Sequence, residues 1–283
     1  MKLLRVGPRG EESPAVMTED GRLLDLSPIT TDIDGVFLAD GLTLATAAIA
    51  SGDLPSIDGA GMRIGAPLAR PGKVVCIGLN YRAHAEESDA APPTEPVVFL
   101  KTPYTVIGPN DTVLIPRGST KTDYEIELGV VIGRTARYLD TAEDGLACVG
   151  GYAVSHDVSE REFQLERGGT WDKGKNCETF NPLGPWLVTA DEVPDPQALD
   201  LRLWVNGNIR QNGSTKDMIF QVGEIIHYLS QFMVLEPGDI INTGTPAGVA
   251  LGHPDPKPYL RPGDVVELEI SGLGRQRQAM GQA

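Results

Sequence analysis

The chain has 283 residues, a hydrophobic fraction of 41% and a formal net charge of −15 at pH 7, enough apolar material for one large domain or a large domain plus a small one. The acidic balance argues against a nucleic-acid partner, because phosphate contacts need clustered Lys and Arg; its plain consequence is solubility. No run of about 18 apolar residues is present, so no membrane span is expected, and Met1-Lys2-Leu3-Leu4-Arg5-Val6 reads as a strand and not as a secretory signal.

Residues 1–70 read as a small N-terminal unit. Leu3 to Val6, Ala15 to Met17 and Leu23 to Leu26 have strand character, with an Asp20-Gly21 turn signal before the third. Residues 34–60 are rich in Ala, Leu and Asp and are expected to be partly helical, and Arg70-Pro71-Gly72-Lys73 reads as a linker. Residues 71–283 are then expected to form the main domain. Short apolar runs follow at Val74-Val75-Cys76-Ile77, Val97 to Leu100, Val113-Leu114-Ile115, Tyr124 to Ile132, Gly151 to His156, Leu199 to Val205, Ile240 to Thr243 and Val265 to Ile270. Asn206-Gly207 is a hairpin signal. Met218, Ile219, Val222, Ile225, Ile226, Leu229 and Met233 recur at helical spacing after Asp217, a candidate cap; His227 and Tyr228 on that helix read as packing or surface. Many strands and few helices predict a β-rich α+β fold, not a doubly wound sheet. No G-x-G-x-x-G follows a strand, and no P-loop is present.

Cys76, Cys148 and Cys177 are scattered with no C-x-x-C pair, which excludes a disulfide framework and a cysteine-rich zinc site. A reducing cytoplasm is the expected compartment. The triplets Asn110-Asp111-Thr112 and Asn212-Gly213-Ser214 match a glycosylation pattern by chance.

Five segments carry candidate chemistry. In Asp123-Tyr124-Glu125-Ile126-Glu127-Leu128, strand geometry puts Glu125 and Glu127 on one face, with Tyr124, Ile126 and Leu128 opposite. Two enclosed carboxylates demand neutralisation, and oxygen ligands suit Mg²⁺, Mn²⁺ or Ca²⁺; read alone, the pair fits an exposed strand face equally well. Asp157 ends the apolar strand that runs to His156, where it is a third ligand or the cap of the next helix. His84 and Glu87 lie at i and i+3 on an expected helix after Gly78-Leu79-Asn80-Tyr81, either as a general base with its orienting carboxylate or as an ordinary surface pair. The loop Gly168 to Lys175 offers lysines for an oxyanion, or solvated loop cations. Asn242-Thr243-Gly244-Thr245-Pro246 ends a buried strand and offers amides and hydroxyls to a carboxylate, or is a plain turn.

The order of these segments carries more than any one of them. Gly78-Leu79-Asn80-Tyr81 with His84, Phe99-Leu100-Lys101, Asp123 to Leu128, Asp157-Val158-Ser159-Glu160-Arg161, Lys173-Gly174-Lys175 and Thr243-Gly244-Thr245-Pro246 resemble the fumarylacetoacetate hydrolase family over roughly residues 70–275. The leading segment and the Gly168 to Lys175 loop look like bacterial members that hydrolyse 2,4-diketo-3-deoxy sugar acids.

The resemblance implies a rolled mixed β-sandwich as catalytic domain, a small N-terminal domain and a homodimer. It implies Mg²⁺ or Mn²⁺ on Glu125, Glu127 and Asp157, a water-activating His84–Glu87 dyad on a segment that orders with substrate, Lys175 as catalytic lysine, and substrate contacts from Lys101, Arg161, Gln164 and Thr245. The implied substrate is a 2,4-diketo acid, an acylpyruvate chelated through its carboxylate and 2-keto oxygens. Hydroxide attacks C4, Lys175 stabilises the oxyanion, and the enolate of pyruvate leaves. The same chemistry serves oxaloacetate decarboxylation, isomerisation of a 2-hydroxyhepta-2,4-diene-1,7-dioate type diacid and hydration of a 2-oxo-enoate. The dyad favours hydrolysis, since isomerisation and decarboxylation need no activated water. A non-catalytic module that holds a metal or organic acid is the reading from another class; the chemically competent side chains at every matched position speak against it. No role follows from sequence for Cys177, Glu178 or His253.

Overall fold

The computed structural model describes residues 1–87 and 91–283. Among the described residues, an 11-stranded mixed sheet runs in the order Ser56–Ile57, Leu23–Asp25, Ser13–Met17, Lys2–Val6, Asn181–Thr189, Val149–His156, Ile126–Ile132, Ile240–Asn242, Val74–Gly78 and Val97–Lys101, with Val106–Ile107 paired beside Asn181–Thr189. A five-stranded sheet is built from Asn208–Ser214, Asp200–Val205, Val265–Ile270, Gly274–Gln282 and Val113–Ile115. The fold is thus strand-rich α+β, as composition and patterning predicted. No helix among the described residues is long and apolar enough to cross a membrane.

Ile126–Ile132 is the strand on which the site depends. Every residue of it is buried, because the sheet is covered on both faces. Its even positions Ile126, Leu128 and Val130 face a core shared with Leu201, Leu203 and Leu268 of the second sheet and with Ile225, Ile226 and Leu229 of the helix Val222–Ser230. Val131, on the odd side, packs with Leu3, Leu26, Phe37 and Leu38 from the N-terminal segment. Glu127 therefore projects to the N-terminal-facing side. The N-terminal strands also extend the same sheet: Lys2 and Leu3 pair antiparallel with Val188 and Leu187.

Several local expectations change. The helix after Asp217 begins only at Val222, with Gln221 as N-cap in a capping box with Glu224. Met218 and Ile219 lie outside it because the backbone there is already committed: Ile219 N–H donates to the Asn80 carbonyl and Phe220 N–H to Asn80 Oδ1, at 2.8 Å each. Asp157 caps nothing; the helix Arg161–Leu165 is capped by Glu160, which accepts from Phe163 N–H. The loop Gly168 to Lys175 ends in one helical turn, Asp172–Lys175. Two long strands, Asn181–Thr189 and Gly274–Gln282, were invisible as apolar runs, the first broken by Pro182, Gly184 and Pro185, the second rich in Gln and Arg.

Asn80 ties its own segment, which leads to His84, to the segments at Phe220 and Thr243. Its fully buried side chain donates to Phe220 O at 3.0 Å and Thr243 O at 2.8 Å, besides accepting from Phe220 N–H. Removing it leaves two carbonyls and one amide unsatisfied in the interior. Asn80→Ala is expected to lower the unfolding free energy by at least about 2 kcal/mol, read from the midpoint of a denaturant titration; an unchanged midpoint would show that these bonds hold nothing.

Candidate active site

Glu125 precedes the strand Ile126–Ile132, and Asp157 follows the neighbouring strand Val149–His156. The Asp157 N–H donates to the Glu125 carbonyl at 3.0 Å, which locks the two residues side by side. Glu125, Glu127 and Asp157 each bring a carboxylate oxygen to within 4.8 Å of the others, and all three are buried. Such a group could hold a divalent cation.

The surrounding charges describe how the cluster is tolerated. Lys175 Nζ bridges Glu125 Oε2 at 2.7 Å and Asp157 Oδ2 at 2.8 Å. Arg161 donates to Glu125 Oε1 at 2.7 Å, to Asp123 Oδ2 at 2.8 Å and to Gln164 Oε1 at 2.9 Å. Lys101 pairs with Asp157. Among the described residues, four carboxylates, counting Asp123, thus meet three cations, and Glu127 is the one without an ion pair; the hydrogen-bond partner of its carboxylate there is Gly244 N–H at 2.7 Å. Burial, with Asp157 and Glu125 adding like charge, pushes the Glu127 carboxyl well above the usual carboxylate range. Glu125 moves the opposite way: against its own burial, Lys175 and Arg161 hold it below that range. Burial opposes the charge on Lys175, but Asp157 and Glu125 overcome it and raise the ammonium. One carboxylate in excess, in a buried three-oxygen cluster, fits the hard divalent ion that the sequence implied.

The cluster opens on a cavity of about 220 Å³, whose walls include His84, Glu125, Glu127, Arg161, Gln164, Lys175 and Thr245. Their spread in sequence shows what folding has gathered. His84 lies on the short helix Arg82–Glu87, with Nδ1 3.3 Å from Glu87 Oε2. Glu87 is itself fixed by Gly248 N–H at 3.0 and 3.1 Å. Lys175 reaches the cluster because Gly174 lets its turn press on the neighbouring segment: a Cβ there would sit 2.3 Å from the Glu160 carbonyl. Thr245 lines the cavity, but its hydroxyl is engaged, donating to Ile126 O at 2.8 Å and accepting from Gln211 at 2.7 Å.

Lys101 departs from the expected substrate contact. Its amine is fully buried behind Asp157, where it also donates to Phe180 O at 2.6 Å and Val158 O at 3.3 Å. With three protein acceptors, it orients Asp157 instead of facing the cavity. Sequence reasoning gave no role to Asp123, which accepts from Arg161 and from Ala250 N–H (2.7 Å) and Leu251 N–H (3.0 Å). A buried Asp beside the two glutamates was the available signal. Phe99, Leu165, Trp171 and Leu251 in the cavity wall had none, since no spacing links them.

Comparison with known proteins places the chain in a family. Residues 73–280 match the family model for the fumarylacetoacetate (FAA) hydrolase C-terminal domain. A Burkholderia multivorans protein provisionally named a hydrolase is 52% identical over 278 residues, 98% of each chain. Maleylpyruvate hydrolase from Sphingobium sp. SYK-6, solved in complex with manganese(II) and pyruvate, superimposes with a TM-score of 0.82 at 30% identity over 100% of both chains. The 2-hydroxyhepta-2,4-diene-1,7-dioate isomerase of Mycobacterium marinum gives 0.76 at 31% identity, over 100% of this chain and 98% of that one. The chain belongs to the fumarylacetoacetate hydrolase family.

The unbalanced Glu127 predicts a measurable response to metal. Mn²⁺ or Mg²⁺ at about 100 times its dissociation constant adds about 2.7 kcal/mol of stability, an upward shift of several degrees in a thermal melt. Glu127→Gln keeps the shape and removes the excess charge, so its metal-free melt is expected at or above that of the parent, with the metal-induced shift lost. A full shift in the variant would exclude Glu127 as a ligand.

Proposed function

We propose that this member of the fumarylacetoacetate hydrolase family is a divalent-metal-dependent hydrolase that cleaves the C3–C4 bond of an acylpyruvate to pyruvate and a carboxylic acid. The observation that carries the reading is the buried, charge-unbalanced carboxylate cluster opening on the same small cavity as a His–Glu pair. The manganese and pyruvate held by the related maleylpyruvate hydrolase support it.

Glu125, Glu127 and Asp157 would hold the cation, Mg²⁺ or Mn²⁺. When bound, the cation supplies a Lewis acid and a template for the 2-oxo acid end of the substrate. The rest falls to side chains. Glu87, held by Gly248, keeps the His84 proton on Nδ1, so Nε2 is free to accept a proton from water. The water oxygen bonds to C4, and Lys175 and the Gln164 amide stand in the wall as donors to the developing oxyanion. The C3–C4 bond then breaks, its electron pair passes to the pyruvate fragment as an enolate, and the imidazolium returns its proton to C3. Arg161 keeps Glu125 ionised and oriented throughout.

Isomerisation is the second reading, supported by the Mycobacterium marinum relative. The His84–Glu87 pair favours hydrolysis, because isomerisation needs no activated water. Chelator-stripped protein is expected to release no pyruvate from acylpyruvates until Mg²⁺ or Mn²⁺ is restored, and His84→Ala to lose about 10²- to 10⁴-fold in kcat. Full activity in stripped protein or in His84→Ala would refute the mechanism. Pyruvate from oxaloacetate but not from acylpyruvates would make the protein a decarboxylase.

A further inference from the structure

We infer that the acyl end of the cavity is built for a short, uncharged, apolar acyl group, and not for a second carboxylate or a polyhydroxylated sugar-acid chain. The inference rests on the 2-oxo acid reading above and names the part of the substrate that reading leaves open.

The cavity divides by chemistry. Its ionic and hydrogen-bonding groups belong to the carboxylate cluster and its attendants, while the remaining wall is Ile77, Leu79, Phe99, Leu165, Trp171 and Leu251, with the backbone of Gly78. Lys175 Nζ lies 5.0 Å from the centre of the Phe99 ring, where the ionic groups meet the contiguous apolar patch of Gly78, Trp171 and Phe99.

The apolar wall is fixed in place. Trp171 lies against Gly78 so closely that a Cβ there would be 2.4 Å from Trp171 Cζ3. The Trp171 and Phe99 rings meet edge to face, with centroids 5.5 Å apart and planes at 64°. Leu79 is held at φ 55, a conformation a leucine takes only under constraint, and the buried hydrogen bonds of Asn80 supply that constraint.

Charge excludes a distal carboxylate. Among the described residues, Arg161 and Lys175 are the only Lys or Arg in the wall, and both are paired to the carboxylate cluster. The nearby loop cations are engaged as well: Lys173 donates to Arg167 O at 2.6 Å, and Arg167 pairs with Glu162 at 3.2 Å. A carboxylate at the acyl end would lose water and gain no cation, and sugar hydroxyls would lose water and gain few partners. Size sets the length. About 220 Å³ falls below the roughly 300–1,000 Å³ of sites for drug-sized ligands, and the 2-oxo acid end must share it.

The test compares three six-carbon 2-oxo acids that differ only beyond C3: α-ketohexanoate, α-ketoadipate and 2-keto-3-deoxygluconate, titrated by calorimetry into Mn²⁺-loaded protein. The expected order puts α-ketohexanoate at least about 10-fold tighter than either of the others. Leu165→Arg, at a half-exposed wall position where a long cation can be accommodated, is expected to narrow the gap to α-ketoadipate at least about 5-fold. Equal or tighter binding of α-ketoadipate or 2-keto-3-deoxygluconate to the parent protein would overturn the inference. Turnover separates it from the reading beneath it. Preferred binding of α-ketohexanoate without pyruvate release from butanoylpyruvate would refute cleavage and leave the apolar subsite standing. Equal kcat/KM for butanoylpyruvate and its ω-carboxylate counterpart succinylpyruvate would do the reverse.

Discussion

Three carboxylates buried within 4.8 Å of one another are the constraint around which the rest of this site is arranged. Left to themselves they would repel, lose their hydration and take up protons. The protein answers with Lys101, Arg161 and Lys175, none of which is exposed. Each has a distinct task. Lys101 fixes Asp157 from behind, Arg161 links Glu125 to Asp123 by pairing with both, and Lys175 spans Glu125 and Asp157 at the cavity wall. Glu127 receives only a backbone amide. The arrangement stops one charge short of balance, and that shortfall is what makes a cation welcome there.

Rigidity around the cluster comes from the covered sheet. Glu127 is paired in register with Ser155, and the backbone bond from Asp157 to Glu125 joins the ends of the same two strands. The dyad is anchored differently. His84 and Glu87 sit on a six-residue helix, short enough that its stability must come from contacts at its ends. Asn80 holds one side of it and the Gly248 amide grips Glu87 at the other. The carboxylate half of the site is therefore held by two paired strands and their ends, whereas the His84–Glu87 half rests on a short helix and its tethers.

The same cavity joins a highly charged end to an apolar one, and the two ends are built by different logic. The charged end uses ion pairs between groups distant in sequence. The apolar end uses shape: Gly78 makes room for Trp171, and Trp171 meets Phe99.

The sequence by itself determined the strand-rich class, the strand that carries Glu127, and the ordered motifs that mark the family; Glu125 lies just before that strand, where the Asp157 N–H and not strand alternation places it. These were legible because strand periodicity and short motifs are local. It did not determine where the helix before Tyr228 starts, since the backbone at Ile219 and Phe220 is claimed by Asn80, 140 residues away from Phe220. Nor did it show the strands Asn181–Thr189 and Gly274–Gln282, whose Pro, Gly and Gln residues hide the pattern. Lys101 looked like a substrate ligand and became a support for Asp157, because only the tertiary structure shows which acceptors surround a buried amine. The apolar half of the cavity was likewise decided in three dimensions. Its members come from strand, loop and helix with no common period, and nothing but packing brings them to one wall.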